Sequence, residues 1–146
     1  MKTFLDLLDT TIKLPVYIEL VPIFENGFPF CTVTLNEQTI YNSTLETTVC
    51  LNKLIDVKDN LILKISLKNK KYSADKETGI KFENFSVDGI KIYPFYVDPI
   101  SYVNDHNNNQ KSFYLGFNGV WQYNINKPFY QWYHVASGQG WLLEPR

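Results

Sequence analysis

Phe85-Ser86-Val87-Asp88-Gly89-Ile90-Lys91-Ile92 reads as two alternating strands joined by an Asp-Gly turn. Asp-Gly supplies the positive φ angles of a two-residue hairpin turn, so the stretch predicts a β-hairpin. Phe113 to Ile125 repeats the device around Asn118-Gly119. A hairpin there places Phe113, Leu115, Phe117 and Val120 on one face and Tyr114, Trp121 and Tyr123 on the other. Gly116 would lie opposite Trp121, with Tyr114 opposite Tyr123. If that face is open, the three aromatics form a flat platform for a sugar ring or a protein partner. If it is covered, they form a second core face.

The same period of two extends outward along the chain. Val16, Ile18 and Leu20 alternate with Tyr17 and Glu19, and Val33 to Tyr41 reads as a further hairpin. Leu45, Thr47, Val49 and Leu51 alternate with Thr44, Glu46 and Thr48. Leu61 to Lys68 is the clearest strand, with Leu61, Leu63, Ile65 and Leu67 on one side and Lys64, Ser66 and Lys68 on the other, as a half-buried antiparallel strand requires. Pro94 makes Tyr93 to Val97 an edge or bulged strand. Asn104 to Gln110 reads as a mobile loop, and Lys127 to Arg146 carries a last aromatic strand with Tyr130, Trp132 and His134 on one face. Many short strands separated by turn signals predict an all-β antiparallel sandwich of jelly-roll type, with a small closed barrel as the alternative. Residues 1–14 read as an N-terminal arm or short helix, and residues 15–146 as one domain.

Composition narrows the function. The chain has 146 residues, 14 basic and 15 acidic, for a net charge of -1. No basic stripe is present to neutralise a phosphate backbone, which argues against nucleic acid as a partner. No apolar run approaches bilayer length, and the opening residues lack a secretory pattern, so no membrane partner is expected. Aromatics make up 16% of the chain, and ten are tyrosines. Tyrosine is favoured where one end of a side chain is buried and the other wet, so the excess points to contact surfaces. Cys31 and Cys50 read as buried small hydrophobes, not a bridge.

Chemical motifs are scarce. His106 and His134 have no partners at metal-ligand spacing, and nucleophile-elbow, dinucleotide and phosphate-loop patterns are missing. A hydrolase would need Glu83 and Asp88 to meet in a cleft, although they sit at opposite ends of one short strand. No enzyme activity and no cofactor are expected. Asp75, Glu77, Glu83, Asp98 and Asp105 could supply calcium ligands from loops, but no spacing enforces such a site.

Two resemblances add to this reading. The hairpin Val33 to Tyr41, the strand Leu61 to Lys68 with its Lys/Asn/Asp-containing loop, and the Phe85 to Ile92 hairpin together resemble the jelly-roll carbohydrate-binding modules of the calcium-dependent xylan-binding type. That resemblance covers under half the chain and implies a sandwich fold, a glycan ligand and calcium. Where the family is expected to carry an Asp-Arg-Asn-like run, this chain reads Phe82-Glu83-Asn84. The end of the chain, with Trp121, Pro128 to Tyr133 and Gly140 to Pro145, is similar to small structural proteins of tailed bacteriophages. This implies assembly in a virion after synthesis in a host cytoplasm.

The expected function is therefore a non-catalytic virion component, in a tail, fibre, baseplate or capsid decoration. It would dock on other virion proteins and on copies of itself through Phe4, Leu5, Leu8, Tyr130, Trp132 and Trp141. The alternative is a carbohydrate-binding module recognising host glycans through Tyr114, Trp121 and Tyr123.

Overall fold

A computed structural model describes residues 12–57, 60–103, 109–125 and 129–136. Eleven strands follow one another: β1 Ile12–Phe24, β2 Phe30–Leu35, β3 Gln38–Thr44, β4 Val49–Val57, β5 Leu61–Lys68, β6 Thr78–Val87, β7 Ile90–Lys91, β8 Ile100–Val103, β9 Asn109–Gln110, β10 Tyr114–Leu115 and β11 Gly119–Ile125. A helix, α1, spans Phe129–Ala136. The first sheet has the order β10-β6-β1-β4, with β7 also on β6. The second has the order β3-β2-β5-β11-β8-β9. All pairings between these strands are antiparallel.

The expected all-β antiparallel sandwich is what forms. Alternation supplies one apolar face per sheet: Leu14, Val16, Ile18 and Leu20 from β1, and Leu61, Leu63, Ile65 and Leu67 from β5, are all buried. Across the gap the Phe82 ring lies 4.8 Å from Trp121, and Phe85 meets Tyr123 edge-on at 5.2 Å. These rings stitch the two sheets together at separations where aromatic pairs attract.

The hairpin at Asp88-Gly89 is present. Val87 pairs with Ile90, and both turn residues take positive φ, 51° and 76°. The hairpin of Val33 to Tyr41 is present too, turning on Asn36 and Glu37 at φ 45° and 71° without a glycine. The hairpin expected at Asn118-Gly119 does not form. β10 pairs with β6 in the first sheet, whereas β11 pairs with β5 and β8 in the second. Gly116 to Asn118 carries the chain from one sheet to the other, and neither Asn118 nor Gly119 takes positive φ. The physical reason is burial. Phe113 and Leu115 are buried, and so are Trp121 and Tyr123. A hairpin would hold these pairs on opposite faces of one sheet and leave one pair in water. Splitting them between sheets lets both face the same core.

Three further expectations change. The aromatic tail is helical where described: Phe129, Trp132 and Tyr133, three and four residues apart, share a face and pack against one another at 5.9 and 6.4 Å. Tyr93 to Val97 is a turn, not a strand, closed by Phe95 and Tyr96 N–H donating to the Ile92 carbonyl at 2.8 and 3.2 Å. Cys31 is buried, and that burial pushes its thiol pKa up to about 12, but Cys50 is exposed on β4. Both are free thiols. β1 begins at Ile12 and buries Leu14 in the core. The arm residues Phe4, Leu5 and Leu8, most of the Asn104 to Gln110 loop, and Trp141 lie outside the described residues.

Candidate binding cleft

The aromatic platform is not a surface. Trp121 is 0% exposed and Tyr123 is 1% exposed. The Trp121 indole N–H donates to the Ser112 carbonyl at 2.7 Å, and the Tyr123 hydroxyl donates to the Tyr96 carbonyl at 2.7 Å. Burial holds the Tyr123 hydroxyl neutral by raising its pKa far above the usual phenol value. Tyr114 lies on the other sheet, its hydroxyl packed over Gly79, where an added Cβ would stand 2.6 Å from that oxygen. Burial, and then the Glu77 carboxylate, raise the Tyr114 pKa to about 12. No ligand could stack on these three together, because two are core and the third is held on the opposite sheet.

The outward side of β11 instead carries Val120, Gln122 and Asn124. At the Asn124 end, a cleft of about 550 Å³ opens between the turn that follows β7 and helix α1. Phe95, Tyr96 and Trp132 supply its aromatic wall, while Asp98 and Asn124 supply polar groups. Phe95 is exposed, whereas Tyr96 and Trp132 are half-buried. Tyr96 meets Trp132 edge-on at 5.8 Å. The Asn124 Oδ1 is shut off from solvent and accepts no hydrogen bond among the described residues.

The walls of this cleft are fastened to the core. Tyr123, buried behind it, holds the Tyr96 carbonyl, and Ile100 N–H donates to Val97 O at 3.0 Å. The Lys111 ammonium donates to the carbonyls of Asp98 and Ile100 at 2.6 and 3.0 Å. On the helix side, Phe129 is buried and Trp132 lies 6.1 Å from Tyr123. A cleft so tied is preformed, which limits the entropy lost on binding. Its volume falls in the range of small-molecule sites, and its mixture of rings with a few polar groups fits that class.

Trp132 is the one expected assembly residue whose side chain is described, and it lines this cleft instead of standing free on a strand. The sequence singles out Asp98 only as a candidate calcium ligand, and Phe95, Tyr96 and Asn124 not at all. The available signal was Pro94 and Pro99 bracketing two aromatics and an aspartate, since proline-punctuated segments form turns and turns carry binding groups.

The opposite end of the sandwich is built on Lys70, which is 9% exposed. Its ammonium pairs with the Glu77 carboxylate, donates to the Gly116 carbonyl and stands 5.3 Å from the Tyr72 ring centre. The same loop is bonded to the crossing segment: Lys70 N–H donates to Asn118 Oδ1 at 2.9 Å, and Asn118 Nδ2 donates to Lys70 O at 3.0 Å. Hydrogen bonding by Lys70 is the main cause of a lowered Glu77 pKa. Glu77 is thus committed to Lys70, while Asp98 stands at the other end of β11 and Glu83 is an exposed residue of β6. Among the described residues no group of three His, Cys, Asp or Glu gathers to hold a metal ion. Of the carboxylates weighed for calcium, no three of Asp75, Glu77, Glu83 and Asp98 gather at one place, and Asp105 lies outside the described residues.

No family model matches this chain, and no curated protein matches it. Among solved structures, it is similar to vCBM60, from a study of two families of calcium-dependent carbohydrate-binding modules. The match has 13% identity over 77% of this chain and 91% of that one, with a TM-score of 0.49. At that distance the likeness says nothing of ligands.

Proposed function

We propose that this chain is a non-catalytic β-sandwich domain that binds carbohydrate in the cleft between the Phe95–Pro99 turn and helix α1. The observation that carries this reading is the cleft's composition: three aromatic rings facing a space that also holds an amide and a carboxylate. A sugar has C–H faces that pack on rings and hydroxyls that need both donors and acceptors. The Asp98 carboxylate accepts from hydroxyls, and the Asn124 side-chain amide lines the floor. Weak affinity at one such site is raised by multivalent display.

The virion reading draws no support from the described contacts or from the similar structure. Most of the residues it rests on lie outside the description, and Trp132 belongs to the cleft.

The test is a glycan array followed by calorimetry on the intact chain and on Phe95→Ala. Phe95 is 64% exposed, so its truncation spares the core. Loss of one stacking ring should cost about 1 kcal/mol, roughly fivefold in affinity, with unchanged thermal unfolding. Unchanged affinity in Phe95→Ala, or an array with no bound glycan, would overturn the assignment.

A further inference from the structure

The cleft is not the only hollow on its face of the molecule. At the other end of β11 a groove of about 380 Å³ is lined by Ser66, Lys68, Asn69, Asn118 and Val120, with the Leu67 and Gly119 backbone. Asn124 in the cleft and Val120 in the groove point the same way from one strand, because side chains two and four residues apart share a face. They are about 13 Å apart along the strand at the usual rise per residue, too far for one ring to bridge. Between them lies Gln122, in register with Lys64 on one side and Ser101 on the other.

Charge on this face is one-sided. The four central strands of the second sheet, β2, β5, β11 and β8, contain no aspartate or glutamate. They present Lys64 and Lys68 outward from β5, both exposed and without an ion-pair partner among the described residues. The first sheet differs: Glu19, Asp56 and Glu83 stand on its three long strands, and Asp56 pairs with Lys13 at 3.1 Å. A chain of net charge -1 has thus kept its acids off one sheet face that holds two unpaired lysines.

We propose that the ligand is an extended oligosaccharide bearing acidic groups. It would seat one ring in the cleft and run along β11 over Gln122 to the groove, with its anionic substituents meeting Lys64 and Lys68. This rests on the carbohydrate reading of the cleft and deepens it. Asp98 disfavours an acidic ring in the cleft itself, so the ring held there is a neutral one.

The test is calorimetry of the intact chain against uronate-containing and sulfated oligosaccharides, and neutral ones of matched length, from disaccharide to hexasaccharide. Affinity should rise with length beyond a disaccharide, favour the acidic series and fall with added salt. The double variant Lys64→Ala/Lys68→Ala should lose about fivefold for the longest acidic ligands and nothing for neutral disaccharides. Both lysines are exposed, so the fold is retained. Affinity that is flat with length, equal for neutral and acidic series, or untouched by the double variant would overturn the track while leaving the cleft standing. Failure of every sugar to bind would bring down the cleft reading itself.

Discussion

Asp88-Gly89 and Asn118-Gly119 carry the same turn chemistry and end in different places. At the first, both residues take positive φ and the chain doubles back within one sheet. At the second, neither does, and the chain leaves the first sheet for the second. The segments around each pair explain the difference. β6 before Asp88 has an apolar side that faces the core, and only Ile90 and Lys91 follow in β7. Around Asn118 both alternating sets are large and apolar, and one hairpin cannot bury both. Turn propensity is worth about 1 kcal/mol, whereas burying Trp121 and Tyr123 is worth several, so burial decides. The crossing is then secured by Lys70, by Asn118, and by Tyr102, whose hydroxyl donates to Phe117 O and accepts from Phe117 N–H.

The comparison breaks most readily at Trp121. Trp121→Ala should lower unfolding free energy by about 3–5 kcal/mol in urea titrations. A loss under about 1 kcal/mol, as for an exposed hairpin residue, would restore the open aromatic face. Removing the fastening of the crossing comes next. Lys70→Met should cost about 2 kcal/mol, because the Gly116 carbonyl loses its buried partner. If stability is unchanged, the crossing does not depend on that lysine.

The two glycines allow a direct contrast. Gly89→Ala should destabilise by about 1–2 kcal/mol, because an alanine pays a steric cost at φ 76°. Gly119→Ala should cost less, because Gly119 is not among the glycines at positive φ. Equal losses at the two sites would mean that the second pair is a hairpin turn after all.

The smallest effect is a pH dependence. The Glu77 carboxyl lies below its usual value of 4.5 in the folded chain, chiefly through its hydrogen bond from Lys70. A lowered folded pKa gives stability that is fully present above pH 4.5 and is lost as pH falls through the folded value. Comparing unfolding midpoints across that range in the wild type and in Lys70→Met should show the dependence weakened in the variant. A parallel pair of curves would place the Glu77 shift elsewhere.

Much of the fold was legible. Alternation over Leu61 to Lys68 gives the bounds of β5, because strict alternation beside one core has a single solution. The site was not. The cleft joins the Phe95–Pro99 turn, Asn124 on β11 and Trp132 on α1, which are far apart in sequence, and no local pattern links them. The helix is hidden in the sequence because Tyr130, Trp132 and His134 fit period two, while Phe129, Trp132 and Tyr133 fit a helical face, and a short aromatic run does not separate the two.

The sequence by itself determined that this chain is built of antiparallel strands with one apolar face each, since period-two apolarity is a property of each strand alone. The choice of a two-sheet sandwich over a small closed barrel came from the pairing. The tertiary structure alone decided that the two sets flanking Asn118-Gly119 face one core from different sheets, and therefore where the outer surface lies. That choice depends on the partner sheet: the same alternating segment is satisfied either way up until Phe82 and Phe85 arrive to meet Trp121 and Tyr123.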